Sequence, residues 1–271
     1  MFWRTLHSEA LKAATQPAVA RIVVAPLIVC AALTPIAASQ VNASLHGAPG
    51  AGQLIPGTNA TNVGPEIMGL WGFVPVVVGV LLASSEHHGG QWTTTVLTTP
   101  RRGQVVAAKA VLCAALNLTL ATIYAALVVI DYQTDLGPGD GLGELSVFAT
   151  GRAPAYLGVL AMAVLYWVLI GLVSLALAIA LPSPVAPMVL MVLLAVTADA
   201  LMLINPVFRF VPTIAGMQMF APDQGIVLPE HPAFAPLTAT LVVAGWALGM
   251  TVLAWALLTR RDIGGRRAPT G

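Results

Sequence analysis

The chain has 271 residues, 58% of them apolar and only 8% charged. A soluble domain carries roughly 25% charged residues, so this chain has too few to cover a water-facing surface. Its net charge of +1 and mean hydropathy of +0.86 offer no basic field for nucleic acid. The apolar residues fall in blocks, which points to an all-α polytopic membrane protein built as a single transmembrane domain over residues 1–271.

The chain opens on FWRTLHSEALKAATQ, residues 2–16, where Phe2, Leu6, Ala10 and Ala13 recur at spacings of three and four. Arg4, Ser8, Glu9 and Lys12 occupy the other side, so residues 1–17 are expected to form an interfacial helix ended by Pro17. A run of about 20 apolar residues can cross a bilayer, and in lipid it must be helical to satisfy its backbone. Six such runs occur, near Ile22–Ala38, Ile67–Ser85, Val105–Ile130, Ala155–Ala180, Val185–Ile204 and Pro236–Leu258. The polar lead-in to the first is longer than the start of a secretory signal, so that run is read as a retained span. The third and fourth are long enough to tilt.

The connections differ in character. Ser39–Glu66 is rich in Gly, Pro, Ala and Asn and reads as a flexible loop, with glycosylation-type patterns at Asn42 and Asn59. Glu86–Lys109, EHHGGQWTTTVLTTPRRGQVVAAK, is polar and lies between two spans. Asp131–Pro154 is acidic, with room for a short helix at Leu142–Phe148, and Pro182–Pro184 makes a tight hairpin. Residues 205–236 are semi-apolar and broken by prolines. They are expected to form short helices that cap the bundle or dip into it.

Basic residues set orientation. Arg4, Lys12, Arg21, Arg101, Arg102, Lys109, Arg260, Arg261, Arg266 and Arg267 fall on one side, leaving only Arg152 and Arg209 on the other. Both termini and the Glu86–Lys109 segment are therefore expected in the cytoplasm, with the chain in the plasma membrane. Cys30 and Cys113 fall inside expected spans and behave as small apolar side chains.

No chemistry-bearing motif is complete. A P-loop needs lysine directly after glycine, whereas Lys12 and Lys109 follow Leu11 and Ala108. Gly89, Gly90 and Gln91 echo a fragment of a cassette-ATPase signature but sit at the end of a span and are read as a helix terminator. His87 and His88 project about 100° apart on a helix and lack further ligands. Met217 and Met219 read as apolar packing, so no metal is expected. Asp199 lies inside the fifth run, where a carboxylate faces either a bundle interior or hydrated interface; both readings stand. Asn117 and Tyr124, with Cys113, give the third run a polar stripe, which either seals helix to helix or lines a substrate path.

Taken in order, these features resemble the permease subunit of the type-2 exporter class of ATP-binding-cassette transporters. That family's elbow helix carries an acid–x–x–Lys pattern, matched by Glu9 and Lys12. Its second span ends in an acid, followed by glycine, threonines, leucine, proline, arginine and a small residue before lysine. Here these are Glu86, Gly90, Thr93–Thr95, Leu97, Pro100, Arg101, Arg102 and Ala108–Lys109. The usual serine between proline and arginine is missing, and alanine replaces the common glycine.

The resemblance implies a non-catalytic permease exporting an amphipathic or hydrophobic molecule such as a drug, peptide antibiotic or lipid-linked compound. It also implies a second permease copy or a related one, and two copies of a separate cytoplasmic cassette ATPase holding ATP and Mg. Glu9, Lys12, Glu86, Gly90, Pro100, Arg101, Arg102 and Lys109 would form the ATPase-coupling surface, with residues 86–109 as coupling helix and start of the third span. Asn117, Tyr124 and Asp199 would be candidates for the substrate path. A membrane-embedded enzyme is the alternative, although Asp199 and the histidines are expected at opposite ends. A sensor or scaffold for an ATPase is another.

Overall fold

A computed structural model describes residues 2–15, 17–45, 47, 63–84, 102–135, 147, 151–181, 183, 185–222 and 232–260. Every regular element among them is helical: α1 (Phe2–Thr15), α2 (Pro17–Leu45), α3 (Ile67–Leu70), α4 (Phe73–Ser84), α5 (Arg102–Asp135), α6 (Ala153–Ala180), α7 (Ala186–Ile204), a 3-10 turn (Pro206–Phe210), α8 (Pro212–Met217) and α9 (Pro236–Arg260).

Among the described residues five stretches are long and apolar enough to cross a membrane: Val24–Ser44, Ile67–Ser84, Gly103–Thr134, Ala153–Ala180 and Pro236–Arg260. Their outer faces leave Ile28, Leu33, Leu118, Ile123, Leu248 and Val252 exposed, a surface that lipid covers and water does not. The chain is an all-α, multi-pass membrane protein. Helix α7 has 19 residues, and its described apolar stretch is Ala186–Thr197.

Two boundaries differ from the sequence expectation for physical reasons. Helix α2 runs past Ala38 to Leu45 because its polar residues bond within the helix: Ser39 Oγ donates to the Ile36 carbonyl and Ser44 Oγ to the Gln40 carbonyl. Its internal Pro26 and Pro35 are of a kind tolerated in membrane helices. The second run is broken at Trp71–Gly72. A continuous helix would drive the ring of Pro75 into the Trp71 carbonyl. Instead Gly72 N–H donates to the Gly69 carbonyl at 2.9 Å and Val74 N–H to the Trp71 carbonyl at 2.9 Å, and α4 begins afresh with Pro75 in its first turn.

Helix α6 is the hub, packing most heavily on α4, α9 and α5. Small residues permit the closest approaches. A Cβ on Gly79 of α4 would overlap the Gly171 carbonyl oxygen of α6, and one on Gly171 would overlap the Asn117 carboxamide of α5. After α7 the chain folds back on the bundle. Pro212–Gly216 of α8 are buried, and Gly216 lies against the Tyr166 ring, thirteen residues into α6 and so about 20 Å along its axis.

Candidate functional site

The only buried ion pair among the described residues joins the first helix to the third apolar run. Glu9 is the one buried residue of α1, turned inward rather than out with Arg4 and Ser8 as the spacing predicts, because Lys109 draws it in. Lys109 lies seven residues into α5, where an ammonium in an apolar helix needs an oxygen partner. Lys109 Nζ donates to Glu9 Oε2 at 2.6 Å and to the Leu82 carbonyl at 3.1 Å. The two side chains are 3% and 4% exposed.

Leu82 sits in the last turn of α4, where carbonyls lack helical partners and the dipole favours a cation. One ammonium therefore fastens α1, the end of α4 and the start of α5. From the same helix, Lys12 Nζ donates to Glu9 Oε1 at 2.7 Å. Burial pushes the Glu9 carboxyl pKa up, but the Lys109 charge and the hydrogen bonds from both lysines outweigh it and hold the pKa below 4.5.

Residues 85–101 leave from α4 and return at Arg102, so the Lys109 node stands at the root of both flanking helices. Glu86, Gly90, Pro100 and Arg101 lie outside the described residues, as do His87 and His88. Arg102 opens α5, with its side chain outside the description. The candidate coupling residues Glu9, Lys12 and Lys109 are thus brought together. Sequence reasoning placed Glu9 and Lys109 on one surface but did not pair them. A partial signal was there: a lysine inside an apolar run calls for an acid, and Glu9 and Glu86 are the two acids ahead of it in the chain on the same expected side.

Further along α5, Asn117 and Tyr124 are both fully buried. The Tyr124 hydroxyl and Thr34 of α2 hydrogen-bond at 2.8 Å. Its ring stacks on Trp167 of α6, with centroids 5.5 Å apart and planes 16° apart, while Trp167 Nε1 donates to the Met68 carbonyl of α3 at 2.8 Å. This relay through four helices was missed because Thr34, Met68 and Trp167 carry no pattern in sequence.

Asn117 Nδ2 donates to the Cys113 carbonyl at 3.0 Å, and its Oδ1 is buried without a partner. Asp199 lies within α7, its side chain outside the described residues. Met219 is buried in the core and Met217 packs beside it. Among the described residues no three His, Cys, Asp or Glu side chains gather around a common point.

An open furrow of about 920 Å³ runs between α5 and α6, lined by residues including Ala114, Leu118, Ala125, Leu157, Ala161 and Leu165. Alanines on the facing sides leave the trough. The Thr122 hydroxyl beside it already donates to the Leu118 carbonyl, so the furrow matches hydrocarbon. Comparison with protein-family models and with curated proteins gave no match for this chain.

Proposed function

We propose that the chain is the permease subunit of an ATP-driven exporter, moving a hydrophobic or amphipathic molecule out of the cell. A second permease pairs with it, and a separate cassette ATPase supplies ATP and Mg chemistry. In this reading α1 is the elbow helix, α7 is the fifth of six spans, residues 86–109 are the cytoplasmic coupling segment and the start of the third span, and residues 205–236 cap the outer end.

The observation that carries the reading is the Lys109 node. A push on residues 85–101 acts on α4 and α5 at once, and Lys109 holds both helices, with α1, at that point. A segment rooted in a buried, multiply bonded ion pair transmits force where a loose loop would absorb it. The hydrocarbon-lined furrow between α5 and α6 supports an apolar cargo.

The test is ATP hydrolysis by the permease–ATPase complex. Glu86→Ala or Arg101→Ala is expected to lower substrate-stimulated hydrolysis by about fivefold or more, the lower end of site-to-site coupling, with the permease still in the membrane. Full stimulation in both variants would contradict the coupling assignment.

A further inference from the structure

Arg209 is the one arginine or lysine of the fold-back after α7, and it is seated rather than loose. Its guanidinium lies over the Phe234 ring, 3.9 Å from the centroid, and Nη2 donates to the Pro232 carbonyl at 2.9 Å. The seat is fixed from both sides. Phe210 packs on Phe234 with centroids 5.2 Å apart, Phe234 N–H donates to Gln218 Oε1 at 2.9 Å, and Trp246 Nε1 of α9 donates to the Phe210 carbonyl at 2.7 Å.

No carboxylate bonds Arg209 among the described residues, and one carbonyl uses one of its five donors. Stacking occupies the face of the guanidinium and leaves its edge, the fork that receives phosphate oxygens in plane. Pro232 and Phe234 immediately precede α9, so the charge lies at the level where that apolar helix begins, the headgroup zone. Around it Ile204, Val207, Phe210, Leu237 and Leu241 are exposed, apolar side chains that fit acyl chains.

We propose that Arg209, seated on Phe234 and Pro232, binds the phosphodiester of an anionic membrane phospholipid, whose chains lie along the exposed flank of α7 and α9. The site needs only the membrane-spanning fold and is independent of the exporter reading. A half-buried cation with an ordered seat and no carboxylate bonded to it among the described residues is completed by an anion, and at this depth the anion at hand is a lipid phosphate.

The test is lipid retention by purified, delipidated protein in detergent, counted by native mass spectrometry during titration with phosphatidylglycerol. Arg209→Gln keeps an amide for the Pro232 carbonyl and is expected to weaken binding about tenfold, the scale of a lost charge-assisted contact. Arg209→Lys loses the fork and falls between, Phe234→Leu also weakens binding, and Arg152→Gln leaves it unchanged. Diacylglycerol, which lacks the phosphate, is not retained.

Equal retention by wild type and Arg209→Gln overturns the proposal, as does an equal loss in Arg152→Gln, which would mean diffuse attraction. Displacement by inorganic phosphate at concentrations matching the lipid would make this a free-anion site and also overturn it. Should Arg209→Gln fail to elute as folded protein, Arg209→Lys decides, and wild-type affinity there counts against the site.

Discussion

Lys109 and Glu9 make a sharp residue-scale test, because each is buried and the two neutralise one another. Lys109→Met leaves a buried carboxylate with Lys12 as its remaining ion-pair partner, and breaking one side of a buried pair costs about 3–5 kcal/mol. The expected result is a large drop in the thermal midpoint of detergent-solubilised protein. Glu9→Gln with Lys109→Met removes both charges and is expected to recover part of that loss, a coupling read from the double-mutant cycle.

The pH response follows from the same pair. The folded carboxyl of Glu9 titrates below its ordinary value of 4.5. Its contribution is therefore fully present above that value and disappears as pH falls through the lower folded value. Thermal stability attributable to Glu9 should be flat from neutral pH to about 5 and decline in stronger acid, and Glu9→Gln should flatten that decline. In the sequence both residues stood out through the family resemblance, as parts of one ATPase-coupling surface. It did not mark their contact, because nothing local in either segment records that α1 folds back against α5.

At the scale of elements, the α4–α6–α5 crossing depends on having no side chain at two positions. Gly79 faces the Gly171 backbone, and Gly171 faces the Asn117 side chain. Gly79→Ala must push two helices apart and is expected to destabilise by about 1–3 kcal/mol. Gly171→Ala meets a side chain instead, so Asn117→Ala in the same protein should relieve much of its cost. Thermal unfolding of the two singles and the pair separates backbone from side-chain obstruction.

Helix positions were legible because apolar runs of spanning length have few alternatives in lipid. Their ends were not. Serines that bond within the helix carried α2 onward, and Pro75 broke the second run from inside. The fold-back after α7 was readable as a broken, greasy segment from its prolines. Its seating depends on Gly216, which lies against Tyr166, and on Gly69, which lies against Met217; both signal close contact only once the partner is known.

For the whole molecule, the exporter reading joins three features: a lipid-exposed helical bundle, a polar segment rooted at the Lys109 node, and a basic bias from which that segment is expected in the cytoplasm. The bundle follows from composition and appears in the structure. The cassette ATPase and the cargo are inferred from residue order and from how a push would travel. Transport of an apolar dye into inside-out vesicles by the full complex should require ATP and fall with Arg101→Ala.

The side on which the polar segment lies is tested most directly by labelling. A single cysteine replaces Gln91 in a protein whose Cys30 and Cys113 are changed to alanine, and intact cells are exposed to a membrane-impermeant maleimide. The account predicts no labelling until the membrane is opened, then full labelling. Full labelling in sealed cells would put the segment outside and contradict the account.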